Sequence, residues 1–309
     1  MWVPSVFICV HLWFQSVAIH FSDRFSRQTS RDMIFENVRL PGAKKMVEKY
    51  IPGYSPNATN FMANRSIDSH AAFFKPYLRS GMKLLDCGCG PGTITLGFAD
   101  VIAPGIVTGT DIGSSQISIA RENALKQAIN NADFLEGNIY NLPFDDNSFD
   151  AAFSHAVLEH LQEPTKALQE LFRVLKPGGI LGVRTPDWGG FLIAPSSPEL
   201  DKAIEYYKLL QQRNGGNPYV GRQLRGLLRQ AGFAGIKASA SYECYENLSA
   251  IAQYLALRIE SSESIDKAVE RGWTDQQSLE SMSSALREWS QHPDGIFAQA
   301  WCEAVGQKY

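Results

Sequence analysis

The chain is short of the residues that would staple or metallate a small domain. Its five cysteines (Cys9, Cys87, Cys89, Cys244 and Cys302) are odd in number and scattered, which is no disulfide framework. No Cys-x-x-Cys pair is present to suggest zinc, and no metal is expected. Cysteine usage of this kind fits a reducing compartment, and a cytoplasmic location is the expectation. Basic excess is missing as well: 29 Lys and Arg stand against 32 Asp and Glu, for a formal net charge of −3. There is no Lys/Arg stripe, and the mixed run at Lys44, Lys45 and Lys49 reads as a solvated helix face. A nucleic-acid partner is therefore not expected. Internal repeats and low-complexity tracts are absent too.

Apolar runs of membrane length are scarce. Met1–Phe21 is rich in Val, Ile, Phe and Trp, but His11, Gln15 and His20 interrupt it. It is marginal as a transmembrane span and lacks the basic start of a signal peptide. Three readings stay open: a signal or anchor, a non-native extension ahead of a start at Met33, or an amphipathic helix. No obligatory membrane partner is expected, and the sequence carries no information on oligomeric state.

What is present is an ordinary globular composition, 44% hydrophobic and 20% charged, able to bury a sizeable core. After an extension at 1–32, residues 33–80 show short amphipathic pieces between turn signals (Pro41-Gly42, Pro52-Gly53, Ser55-Pro56-Asn57). They predict a helical cap, with one helix over Ile67–Leu78. From residue 81 the rhythm changes. Short apolar runs at Met82–Cys87, Ile106–Asp111, Ala132–Glu136, Phe149–Ser154 and Gly179–Thr185 alternate with helical patterns at Thr93–Ile102, Ser114–Ile129 and Thr165–Leu175. Strands alternating with helices of that length predict a doubly wound α/β domain, with a mostly parallel sheet covered on both faces. A helix over Gly221–Ala231 and a strand over Ile236–Tyr242 extend the scheme. A helical insertion is expected over about 246–292, and Ile296–Val305 is expected to return as a seventh strand at the sheet edge. Trp188–Pro218, rich in Gly, Pro and aromatics, carries no assigned element. Its aromatics Trp188, Phe191 and Tyr206, with Tyr207 and the adjoining Tyr219, either line an acceptor pocket or pack a lid.

In such sheets ligands bind at the carboxyl ends of the strands. Three features fall there. Asp86-Cys87-Gly88-Cys89-Gly90-Pro91-Gly92 leaves the first strand and opens a helix, with glycines that let the backbone turn tightly against a ligand. Asp111 ends the second strand, where a carboxylate is placed to accept hydrogen bonds from a ribose diol. Asn138 and Ile139 follow the third, where an amide beside an apolar residue suits an adenine. The spacing Gly88-x-Gly90-x-Gly92 departs from the dinucleotide pattern Gly-x-Gly-x-x-Gly, and Asp86 beside it would repel a pyrophosphate while favouring a cationic amino-acid group.

Leu84–Gly92 resembles motif I of the class I S-adenosylmethionine (SAM)-dependent methyltransferases. Leu142-Pro143-Phe144 with Asn147-Ser148-Phe149-Asp150, Leu158-Glu159-His160, and Arg173 to Gly179 are similar to their ubiquinone/menaquinone-biosynthesis branch. The resemblance runs from about Leu84 to Thr185. It implies a Rossmann-like methyltransferase fold over 81–309, SAM as cofactor and methyl transfer, and says little about the acceptor; the aromatic and aliphatic content of the N-terminal cap and of Asn247–Gln291 suggests a small, partly apolar one, such as a quinone, a polyketide-like or another secondary metabolite. It also implies residue roles. Asp86, Gly88 and Gly90 would lie along the methionine part of SAM, and Asp111 would bind the ribose. Ile112 would pack on the adenine, Asn138 and Ile139 would flank it, and Ser154 and His155 would sit near the sulfonium. Arg65 and Tyr54 in the cap are candidates for holding the SAM carboxylate and closing the pocket. Asn138 stands where the family often has Asp, which softens that contact. If the acceptor needs a base, His155 is the first candidate, then Glu159 and Asp187; His160 reads as support for the following helix. Two other readings stay open: a SAM-binding protein without turnover, and a related transfer such as aminopropyl transfer. Ser154-His155-Ala156-Val157 is unlike the Asn-Pro-Pro-Tyr type of nucleic-acid amine methyltransferases.

Overall fold

Strands apolar along both faces make the centre of the molecule. The computed structural model describes residues 62–260 and 272–309, together with Thr59 and Val269. The extension, most of the expected cap including Tyr54, and part of the helical insertion lie outside the described residues. β1 (Lys83–Cys87), β2 (Ile106–Asp111), β3 (Ala132–Glu136) and β4 (Phe149–His155) pair in parallel, and β5 (Leu175–Ala194) continues the sheet in the same sense. Along β1, Leu84 joins Phe74, Phe98 and Phe153 on one face, while Leu85 joins Leu168, Leu171 and Leu228 on the other. A strand buried on both sides requires a helical layer on each. α1 (Ile67–His70) and α2 (Thr93–Ile102) cover the first face, with α3 (Ser114–Lys126) beside α2; α4 (Pro164–Val174) covers the second. α4 begins at a proline and buries Ala167, Leu168, Leu171 and Val174, which fall on one helical face.

The seven strands run in the order β3-β2-β1-β4-β5-β7-β6, where β6 is Ala234–Cys244 and β7 is Ile296–Gln307. The doubly wound, mostly parallel sheet expected from the sequence is therefore present. One placement differs. β7 is not at the edge but lies between β5 and β6, antiparallel to both. The residues fit this: Phe297 to Val305 is buried on both faces almost throughout, whereas β6, with Lys237, Ser239 and Ser241, is largely exposed as the edge.

Two other segments differ from expectation. Ile67–Leu78 is not one helix: α1 is a single turn, capped by the Ser66 hydroxyl, which accepts from the Ser69 N–H, and a 3-10 turn follows at Lys75–Tyr77. Pro76 has no N–H to donate four residues back, and its ring would strike the Ala72 carbonyl. The break lets Phe74 turn inward over β5. A Cβ on Gly182 would stand 2.5 Å from that ring, so only glycine admits it. The stretch after Thr185 is ordered: β5 runs on to Ala194, and α5 (Pro198–Arg213) follows, capped by Ser197. α5 packs with α7 (Leu248–Glu260) and α8 (Gln276–Trp289) into a second core that includes Trp188, Tyr207, Leu255 and Leu286; α6 (Leu224–Gln230) belongs to the main one. Among the described residues no helix is long and apolar enough to cross a membrane.

Candidate active site

β1 passes the chain to α2 through the glycine turn. Gly88 adopts φ of +82°, and a Cβ there would stand 2.2 Å from Val157, so backbone and space both demand glycine. The N–H groups of Gly88 and Cys89 donate to Thr110 O at 2.7 and 3.0 Å, tying the turn to the end of β2. One residue further, Asp111 is clamped by two backbone donors: Gly90 N–H to Oδ2 at 2.9 Å and Gly113 N–H to Oδ1 at 2.8 Å. The carboxylate is thus fixed at the mouth of the turn. Ile112 beside it is 66% exposed, an uncovered apolar surface. The Gly137 N–H reaches Asp111 O at 3.0 Å, which brings the third-strand loop to the same edge. There Asn138 is exposed, its Oδ1 accepting from the Tyr140 N–H at 3.0 Å, and Ile139 is buried.

Asp86 lies beneath the turn, buried, and accepts from the Thr95 hydroxyl at 2.6 Å. Burial pushes its carboxyl up to about 7; the Thr95 hydrogen bond opposes this and the Asp111 charge adds to it. Cys87 and Cys89 are buried, and burial pushes the Cys87 thiol up to about 12.

At the end of β4 the candidates separate. Ser154 is buried and its hydroxyl donates to Cys87 O at 3.0 Å, fastening β4 to β1. His155 is buried between His70 and Trp301, with ring centroids 5.2 and 4.8 Å away. Burial, then Arg65, Arg184 and His70, hold its imidazole well below the usual histidine range. Neither ring nitrogen has a hydrogen-bond partner among the described residues. His155 is not among the residues that line the cavity described next; its ring packs against His70 and Trp301.

The cavity opens beyond the ends of β4 and β5, and its empty space, with the open solvent at its mouth included, is about 590 Å³. β7 supplies Phe297, Gln299 and Trp301, and α7 supplies Ile251, Tyr254 and Arg258. Trp188, Tyr207 and Tyr245 add aromatic wall, and Ala156, Glu159 and His160 come from the chain after β4. Met62 and Arg65 complete it on the side of the glycine turn. Met62 is the hinge between the two regions: its Sδ stands 3.6 Å from where a Cβ on Gly90 would be, and the same side chain lines the cavity.

Glu159 is the buried acid of this cavity. Its Oε2 accepts from the Thr185 hydroxyl at 2.7 Å, and burial pushes its carboxyl up to about 7 against that hydrogen bond and Arg65. His160 Nε2 is 3.6 Å from Glu159 Oε1, but burial, Arg258 and Arg65 push this imidazole down to about 3, so the contact is not an ion pair at neutral pH. Asp187, the third base candidate, is committed elsewhere. Burial works against its charge, yet two hydrogen bonds from the Arg222 guanidinium, at 2.7 and 2.6 Å, hold its carboxyl below the usual range. Of the aromatics left open by sequence, Trp188 and Tyr207 line the cavity, and Tyr206 is packed in the second core. Sequence reading missed Met62, Tyr245, Tyr254, Arg258, Gln299 and Trp301. Arg258 left a signal, since it interrupts the buried stripe Ile251, Leu255 and Ile259 of α7.

A parallel sheet reversed only by its penultimate-position strand, a glycine turn after β1 and a clamped carboxylate after β2 define the class I SAM-dependent methyltransferase fold. The chain belongs to the SAM-dependent methyltransferase family: the family described as "Methyltransferase domain" matches residues 78–232. An uncharacterised methyltransferase of Schizosaccharomyces pombe is 32% identical over 80% of this chain and 92% of its own length. Demethylmenaquinone methyltransferase of Listeria monocytogenes is 26% identical over 63% of this chain and 90% of the relative. Among solved structures, a phosphoethanolamine N-methyltransferase of Haemonchus contortus superposes with a TM-score of 0.51 at 20% identity, over 78% of this chain. The chain spans about half of that protein, 52% of its length, and the likeness is one of fold.

Proposed function

We propose that the chain transfers a methyl group from SAM to a small, partly apolar metabolite bound in the cavity between β7 and α7. The observation that carries this is Met62, which touches the glycine turn and the cavity at once, so that a cofactor on the turn and an acceptor in the cavity would be neighbours. The residues present suit SAM. Asp86 and Arg65 offer opposite charges to the amino and carboxylate groups of its amino-acid end, with Gly88 and Gly90 giving close backbone approach. Asp111 would accept from the ribose hydroxyls, while exposed Ile112 with Asn138 and Ile139 would cover the adenine.

When bound, SAM supplies a methyl group on a positively charged sulfur, already activated for in-line displacement. What remains for the protein is to position the nucleophile and exclude water. The aromatic walls at Trp188, Phe297 and Trp301 would do the second. Glu159 takes the place of the general base: it is buried, lines the cavity, and its carboxyl near 7 is matched to accepting a proton from a phenol or acidic carbon at working pH. Similarity to a relative named for demethylmenaquinone supports a conjugated, apolar acceptor. Transfer of label from methyl-labelled SAM to a panel of phenols, quinols and polyketides tests the reading. Tight binding of S-adenosylhomocysteine (SAH) with no transfer to any acceptor would favour a protein that binds SAM without turnover.

A further inference from the structure

The cavity contains a cation for which the methyl transfer itself has no use. Arg258 sits on the buried stripe of α7 and is only 6% exposed. Its guanidinium stacks on Tyr254, one helical turn before it, 3.8 Å from the ring centroid. Stacking fixes the plane of the group but satisfies none of its N–H donors. Nε and Nη1 are buried and have no hydrogen-bond partner among the described residues. Two arginines near the sheet ends are answered by carboxylates instead: Arg184 by Glu243 and Glu303, Arg222 by Asp187.

The charges that share the cavity do not neutralise Arg258. Glu159 is the lining carboxyl, and burial lifts it to about 7, so it carries only part of a charge at neutral pH. His160 is uncharged there, and Arg65 is a second cation on the turn side. A chain of net charge −3 has thus gathered a positive cavity. Burying a guanidinium without an oxygen partner is costly, and an oxyanion is the group that best repays it. Two further atoms extend the pattern. Trp301 Nε1 and Gln299 Oε1 belong to lining residues, are buried, and have no hydrogen-bond partner among the described residues. One is a donor and one an acceptor, so the cavity can read a polar edge as well as an anion.

We propose that Arg258 binds an anionic oxygen group, carboxylate or phosphate, carried by the methyl acceptor, whose conjugated ring lies against Tyr254, Phe297 and Trp301. The acceptor class is then an acidic aromatic or conjugated metabolite, and not a neutral lipid-like one. This rests on the cavity being the acceptor site of a SAM-dependent methyltransferase.

The test uses the full chain saturated with SAH and three isosteric probes, 2-naphthoate, 2-naphthyl phosphate and neutral 2-naphthamide, followed by calorimetry. At least one anion is expected to bind about tenfold or more tightly than the amide, as a charge-assisted hydrogen bond requires. Whichever anion is preferred identifies the group. Arg258→Gln is expected to remove the preference while leaving SAH affinity unchanged, which also shows the variant folded, and Arg258→Lys is expected to restore part of it. Equal binding of all three probes, binding of none, or a preference that survives in Arg258→Gln would overturn the proposal. Failure of SAH itself to bind would instead overturn the methyltransferase reading of the cavity on which it rests.

Discussion

His155 and Glu159 are four residues apart in the sequence and stand in different surroundings. Both follow β4, and a histidine is the commoner base. Yet His155 is packed between two rings under cationic neighbours, while Glu159 faces the cavity with its carboxyl lifted to about 7. Glu159→Gln is therefore expected to lower kcat by about a hundredfold or more with little change in SAH affinity. Activity of the unmodified protein should rise with pH through about 7, since the base must lose its proton, and the variant should lack that limb. An unaltered kcat in Glu159→Gln would remove it from the chemistry. His155→Gln is expected to retain most turnover in any variant that stays folded. Asp86 gives a second pH signal. Its folded-state carboxyl is raised from 3.8 to about 7, so ionisation lowers stability as pH rises across that window and the penalty persists above it. Asp86→Asn should accordingly raise the Tm at pH 8 and change it little near pH 4. In the unmodified protein, affinity for the cationic amino group of SAM should increase as pH rises through 7, an increase that calorimetry should not find in Asp86→Asn.

At the scale of elements, β7 decides how the cavity is built. Phe297, Gln299 and Trp301 alternate along it and point into the cavity, and the strand lies between β5 and β6. An edge strand is dispensable more often than an inner one. Ending the chain before Ile296 is thus expected to abolish cooperative thermal unfolding and SAH binding, because β5 and β6 lose their shared partner. A truncated chain that still melts cooperatively and binds SAH would contradict this placement. The sequence pattern marked all seven strands through runs such as Leu84–Cys87, but strand order depends on pairing between distant segments, which no local pattern in β7 carries. The helix α5 was legible and passed over. Ser197 followed by Pro198 and Glu199 is a helix start, and Leu200, Ala203, Ile204 and Tyr207 keep helical spacing.

For the whole molecule, the cofactor side was more legible than the acceptor side, and for a physical reason. The turn at Gly88, the acid at Asp111 and the loop at Asn138 each follow a strand within a few residues, so local sequence carries their geometry. The cavity draws on the chain after β4 and on β5, α5, α7 and β7, its lining runs from Met62 to Trp301, and only the tertiary fold brings Glu159, Arg258 and Trp301 together. The glycine turn and Asp111 are the hinge of the entire account. Calorimetry of SAM and SAH binding to the full chain and to Asp111→Ala, with NADH as control, tests it most directly. Micromolar binding of both sulfur ligands, none of NADH, and a loss of about tenfold to a hundredfold in the variant are expected, the size of one or two hydrogen bonds to a charged acceptor. A folded protein that binds neither ligand, or an Asp111→Ala variant that binds both as well as the parent, would contradict the placement of the site.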